Sequence, residues 1–370
     1  MRLTIPQPEL AAAAKWAARQ APSKPTNPIL LGARLEADGD RLRVSVWDGA
    51  TAAHATLDAD IEEPGVVVAS AQMLADITGS LRKTDVALAG DHDLTLTTTA
   101  AEFRIPGLDP HTYPQLPGLP ETQGGVDGGE FAAAYQRVHR AIDPKATGSF
   151  AGMTGVRLKV MDGRLKLSAT DRFRIASAWI DWHGGDTDTG MAVVPGKVMA
   201  DNARAFDGQL QLALPADGNG TAALISDGRS VSTLLIDPGL FPHKVDTQIP
   251  SQFTGAITGD ADEITAAIQA AMTVSGGNLL WLNTDGADVM FRAGRDASSR
   301  VTADAEYDGD HEQFELAINA GWLLDGLAPI SGAARINLTT HVAPAVIEAV
   351  DDDTYQYCAV PIREPHKAAA

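Results

Sequence analysis

Between Gly155 and Ser177 the chain alternates apolar and polar residues, breaks at Asp162-Gly163, and alternates again. Period-two alternation on both sides of an Asp-Gly predicts a β-hairpin with one buried face. Gly32–Asp48 carries the same pattern: Leu35, Leu42, Val44 and Asp48 precede Leu158, Leu165, Leu167 and Asp171 by 123 residues. A weaker third copy, Leu279–Arg295, places Leu282, Val289 and Phe291 another 124 residues on. Helical patterns recur at the same period. Glu9-Leu10, Glu130-Phe131 and Glu263-Ile264 each open an Ala-rich amphipathic helix. A second apolar helix in each copy carries Asp76, Asp201 or Asp325, spaced 125 and 124 residues apart. The stretches "HTYPQLPGLP" and "GLFPHKVDTQIP" close the first two copies, and their prolines end strands and stiffen linkers.

Three kinds of element in one order at one period imply three homologous domains, 1–120, 126–250 and 253–365, with Glu121–Gly129 as the first linker. The predicted fold class is α+β. Each domain is expected to pack two helices on one side of a curved antiparallel sheet of about eight short strands. If the copies join edge to edge by strand pairing, a symmetric head-to-tail partner completes a six-segment closed ring.

Composition narrows the class. The chain has 370 residues, 44% of them apolar, and a net charge of −19. That is a globular protein of several domains. The acidity argues against nucleic-acid binding over the whole surface but leaves room for a local basic patch. The single cysteine, Cys358, excludes internal disulfides and Cys-rich zinc sites. The start "MRLTIPQPEL" has no hydrophobic leader pattern and no run approaches a membrane span, which predicts a bacterial-type cytoplasmic protein. Nine scattered histidines form no metal motif, and no Gly-rich phosphate loop is present, so neither a metal nor a cofactor is expected.

Five segments, in order, carry a resemblance: "KPTNPIL" (24–30), "RIPGLDPHTYPQLP" (104–117), "SATDRFRIA" (168–176), "FPHK" (241–244) and "YCAVPIR" (357–363). Together with the triple repeat they resemble the bacterial sliding clamp family, the beta subunit of replicative DNA polymerase. The resemblance spans nearly the whole chain. It implies a homodimeric ring without catalytic activity that encircles duplex DNA irrespective of sequence. It also implies partners, the polymerase and a clamp loader among them, that dock through short linear motifs.

The resemblance further implies a hydrophobic peptide groove lined by Met153, Thr170, Arg172, Phe173, Arg174, Ile175, Pro242, Val342, Pro344, Val360, Pro361, Ile362 and Arg363. Apolar walls with a few polar groups suit a peptide, and Arg174 and Arg363 are candidates to fix its direction. Across the dimer seam it implies Phe103 and Ile105 of one copy against the Met272 region of the other. The chain departs from the family at Arg172-Phe173, where Gly-His is usual, and in its extension "EPHKAAA" (364–370), which either frays or leans over the groove.

Candidates for phosphate contact lie on the repeated helices and adjoining loops: Lys15, Arg19, Lys24, Arg82, Lys83, Arg137, Arg140, Lys145, Lys197 and Arg204. Lys24 and Lys197 sit where the family places basic residues; the others are inferred from helix position. Residues 253–370 hold 6 Lys and Arg against 18 Asp and Glu, a net of −12 within the total of −19. A ring with this third repeat grips DNA weakly there.

Two alternatives stay open. One is a hydrolase on duplicated α+β domains, with Asp171 as its acid or base, although no partner motif accompanies it. The other is a clamp-like scaffold of a mobile element without full loading function.

Overall fold

The computed structural model describes residues 1–185, 190–294, 298–310 and 313–363. The chain divides into two compact units. One comprises Met1–Gly129 and Trp182–Leu235, the other Glu130–Asp181 and Ile236 onward.

Among the described residues each repeat supplies two α-helices. They are α1 (Gln7–Gln20) and α2 (Ala71–Ser80), α3 (Gly128–Val138) and α4 (Gly196–Asn202), and α5 (Ala261–Met272) and α6 (Ala320–Leu327). Glu9, Glu130 and Glu263 each stand third in their helix. There a carboxylate meets the positive end of the helix dipole. The following residues, Leu10, Phe131 and Ile264, are fully buried, so the start signal and the apolar anchor sit side by side. None of these helices is long and apolar enough to cross a membrane.

In the first unit, strands 60–63, 2–6, 85–89, 94–97 and 102–105 form one antiparallel sheet in that order. A second, longer sheet runs 107–108, 65–70, 32–38, 41–47, 51–58, 229–234, 221–226, 209–213, 124–127 and 183–184. Helix α1 packs against α2 and strands 41–47 and 51–58. In the second unit the strand order is 155–161, 164–170, 174–181, 352–359, 345–349, 333–338, 255–260, 299–309, 288–293, 279–285 and 313–319. Helix α5 lies on strands 288–293 and 299–309 and beside α6. The hairpin at Asp162-Gly163 turns with φ of 51° and 72°. Two consecutive positive values are what a two-residue turn needs to match strand twist.

The expected edge-to-edge joining occurs twice. Strand 51–58 of the first repeat pairs with 229–234 of the second, Thr51 opposite Thr233 and Ala55 opposite Arg229. Strand 174–181 of the second repeat pairs with 352–359 of the third, Arg174 opposite Ala359 and Ala178 opposite Tyr355. These ladders explain why the compact units cut through the middle repeat: contacts follow the continuous sheets, not the linkers.

One expectation needs correction. The resemblance implies Ile105 at an intersubunit seam, but it is 0% exposed within its own chain. Phe103 and Ile105 share one face of their strand, where Ile105 is enclosed in the first unit's core and Phe103 stays half-buried. Ile105 therefore has no apolar surface left to offer a partner. Met272, the last residue of α5, is half-buried.

Candidate functional site

The segment between strands 164–170 and 174–181 is a tight turn. Asp171 Oδ1 accepts from the backbone N–H of Phe173 at 3.0 Å and of Arg174 at 3.1 Å, and Thr170 Oγ1 donates to the Arg174 carbonyl at 2.7 Å. Asp48, 123 residues earlier, does the same job: its Oδ1 accepts from Ala50 N at 2.8 Å and Thr51 N at 2.6 Å. Short Asp side chains that bind the backbone two and three residues on are turn makers. Asp171 Oδ2 meanwhile takes Arg174 Nε at 2.8 Å. The Asp171 carboxylate is thus committed to folding its own loop.

Arg172, at the turn's apex, has φ of 80°. An L-residue with a Cβ disfavours that left-handed region, which glycine enters freely. Two aromatic contacts oppose the strain. The guanidinium lies 4.8 Å from the Phe150 ring centre and 5.5 Å from that of Phe173. Phe173 in turn stacks on Trp322 at 5.2 Å. Arg172 is solvent-exposed, and its charge makes no ion pair among the described residues.

This turn forms one wall of a cavity of about 540 Å³ in the second unit. Of the residues expected in a groove, Met153, Thr170, Arg172, Phe173, Arg174, Ile175, Pro242, Pro344 and Val360 line it. Val342, Pro361, Ile362 and Arg363 do not. Val342 is 52% exposed. Ile362 instead extends the backbone pairing, its N–H donating to the Ala317 carbonyl at 2.8 Å. The extension 364–370 lies outside the described residues.

Sequence reasoning missed Phe150, Leu240, Phe241, His243, Gln248 and Cys358, all of which line the cavity. Strand alternation places Cys358 on the same side as Val360, a signal readable from the sequence. Burial pushes the Cys358 thiol up to about 12, so this cysteine acts as a small apolar wall residue.

Arg174 is tied down. Beyond Asp171 it pairs with Asp325 of α6 and reaches Tyr357 Oη at 3.4 Å. Burial works against its charge, and Tyr357, Asp325 and Asp171 together outweigh that, raising its pKa. Its role is to lock the turn onto α6. Arg172 supplies the exposed charge at the cavity.

The proposed DNA contacts divide similarly. Lys15, Arg19, Lys24, Arg82, Lys83, Lys197 and Arg204 are exposed on the first unit, with Lys197 paired to Asp201 at 2.6 Å. Lys15 and Arg19 stand one turn apart on α1. In the second unit Lys145 and Arg140 are exposed, and Arg140 reaches Asp325 at 3.3 Å. Arg137 is half-buried and fully engaged. It donates to Asp352 Oδ2 at 2.7 Å and Thr354 Oγ1 at 2.6 Å, with its guanidinium 5.9 Å from the Tyr355 ring centre. Helices α5 and α6 carry no Lys or Arg.

Three family models match in succession: the N-terminal domain of the DNA polymerase III beta subunit over residues 1–117, its central domain over 126–243 and its C-terminal domain over 246–363. The chain belongs to the DNA polymerase III beta subunit family, the bacterial sliding clamps. A Streptomyces coelicolor beta sliding clamp is 32% identical over 98% of this chain and 99% of its own length. A beta sliding clamp homolog from Streptomyces muensis, GriR, is 29% identical with the same coverage. Among solved structures, a Pseudomonas aeruginosa sliding clamp bound to griselimycin superposes with a TM-score of 0.90. It is 21% identical and covers 98% of this chain and all of its own. The chain is thus a sliding clamp of three clamp-type domains, an accessory factor of DNA polymerase.

Proposed function

We propose that two copies of this clamp close head to tail into a ring that encircles duplex DNA and tethers polymerase. The repeated strand join carries the reading. The same pair of strands meets between the first and second repeats and again between the second and third. Carried one repeat further, the rule pairs residues 299–303 of one copy with the strand 102–105 of another. Strand 102–105 ends its sheet, and 299–303 pairs on one side only, with 288–293, among the described residues. Two such joins related by a twofold axis close a ring without leaving an open edge.

In this reading the units of the ring are the three repeats, 1–120, 126–250 and 253–365. The chain does no catalysis. Its cavity beside Arg172 and Phe173 receives the short apolar motifs of polymerase and of a loader. The exposed cations of the first unit face DNA phosphates, and the protein works in the cytoplasm. The test is topological. The protein loaded on a nicked circle should stay bound and should leave once the circle is cut. Equal loss from circles and from linear DNA, or a monomer mass by light scattering at micromolar concentration, refutes the ring.

A further inference from the structure

The internal repeat exposes a site in the first unit that the clamp function does not use. Strands 32–38 and 41–47 pair Arg34 with Ser45 and Glu36 with Arg43. Strands 155–161 and 164–170 pair Arg157 with Ser168 and Lys159 with Lys166, the same register 123 residues on. In the second repeat the two cations of this outer row hold one carboxylate. Arg157 Nη2 and Lys166 Nζ reach Asp246 Oδ1 at 2.5 and 2.8 Å. Both cations are 6% exposed. Burial opposes the Asp246 charge, and the bonds from Lys166 and Arg157 outweigh it, so its carboxyl sits below the usual value.

Asp246 comes from the segment that starts Phe241-Pro242, whose counterpart starts Tyr113-Pro114, 128 residues earlier. Counting on from there, the residue in Asp246's place is Gly118. The carboxylate is missing, and a cavity of about 630 Å³ opens there. Arg34, Arg43, His54, Tyr113, Leu116 and Gly118 are among its lining residues. Glu36, standing where the second repeat has Lys159, pairs with Arg34 at 2.5 Å. Arg43 has no carboxylate within ion-pair distance among the described residues. Burial, and then Arg43, lower the His54 pKa, so this ring is neutral near pH 7 and adds no charge. Two arginines against one glutamate leave one positive charge beside an apolar wall.

We propose that this cavity binds a small organic monocarboxylate with an apolar body, its carboxylate taking at Arg43 and Arg34 the place that the Asp246 side chain takes in the second repeat. A monoanion neutralises the cluster, and charge-assisted bonds to guanidinium are the strong kind. The apolar body rests on Tyr113 and Leu116. The cavity therefore discriminates against a neutral ligand of the same shape.

The probe is 4-phenylbutyrate, with 4-phenyl-1-butanol as its neutral counterpart, titrated into the full-length protein by calorimetry. Phenylbutyrate should bind at least about tenfold more tightly than the alcohol. Arg43→Gln, at an exposed position, should erase that preference. Gly118→Asp is the decisive variant. A Cβ there meets nothing within 4 Å, so an aspartate fits, and it should fill the site from within. It should raise the Tm and abolish phenylbutyrate binding. Equal affinity for acid and alcohol, no binding of either, or binding that survives both variants overturns the proposal. The last outcome would mean that phenylbutyrate sits elsewhere on the protein.

Discussion

Replacing Arg172 by alanine and by glycine separates two effects that the turn now combines. The backbone at φ 80° costs an L-residue about 1 kcal/mol. The two ring contacts at 4.8 and 5.5 Å act against it. Phe150 and Phe173 are 43% and 44% exposed, so each contact contributes about 0.5 kcal/mol, the value for exposed sites. Arg172→Ala loses both contacts and keeps the strain, a net loss of about 1 kcal/mol. Arg172→Gly loses the same contacts but recovers the strain. The extra freedom of glycine in the unfolded chain takes back about 0.5 kcal/mol. The glycine variant should therefore lie about 0.5 kcal/mol above the alanine variant and a similar amount below the parent. At about 2–4 °C per kcal/mol for a unit of this size, the variants should be resolved by about 1–2 °C in scanning calorimetry. An alanine variant as stable as the glycine variant would show that the turn relaxes out of the left-handed region and stores no strain.

Phe173→Ala should weaken a docked apolar peptide by about 1–2 kcal/mol, because it removes the ring stacked on Trp322; unchanged affinity in a fluorescence titration removes the groove assignment. Phe103→Asp should split the dimer while the monomer stays folded, whereas Ile105→Asp should unfold the first unit, since Ile105 is fully buried; circular dichroism with light scattering tells the two apart, and a folded Ile105→Asp monomer contradicts the burial argument. Asp246→Asn leaves Arg157 and Lys166 buried without their carboxylate and should cost about 3 kcal/mol. Because pairing lowers the Asp246 pKa, the parent's advantage should be full above about pH 5 and fade as pH falls below the ordinary value near 3.9; an advantage that stays flat to pH 2 sinks the linkage. Lys15→Ala with Arg19→Ala should reduce the salt slope of duplex binding by about 2, while Arg137→Ala should lower the Tm and leave the slope alone; a slope change at Arg137 reverses that division.

The elements were legible wherever the signal was local. The starts at Glu9, Glu130 and Glu263 and the hairpin at Asp162-Gly163 rest on neighbours within a few residues. Asp171 was legible as a turn residue because the repeat supplied Asp48 for comparison. What stayed hidden depends on distant partners. Arg137 looks like a phosphate contact until Asp352, 215 positions away, occupies it. Ile105 looks like interface because it is apolar in a polar stretch, and only the packing of the first unit around it shows that it is core. Phe150 faces the cavity from a 3₁₀ segment, Gly148–Thr154, whose irregular backbone gives no periodicity to read. Arg174 looked like a free peptide-orienting group until α6 supplied Asp325.

The repeat aspartates show how one scaffold came to hold different charges. Asp76, Asp201 and Asp325 share a position on the second helix of each copy. Asp76 accepts from Gln72 at 2.8 Å and Asp201 from Lys197 at 2.6 Å, both partners one turn away on the same helix. Helices of these two kinds need no other element to satisfy the carboxylate. Helix α6 has no basic residue, so Asp325 must draw its cations from elsewhere in the second unit, and it takes Arg174 and Arg140. Asp325 of the acidic third repeat is thus paired with arginines from the second. Arg174 and Asp171 tie the groove turn to α6 by this exchange, and Arg140 is drawn away from the phosphates it could have met. One ion pair, Arg174 with Asp325, thus both satisfies the α6 carboxylate and fixes the turn that carries Arg172.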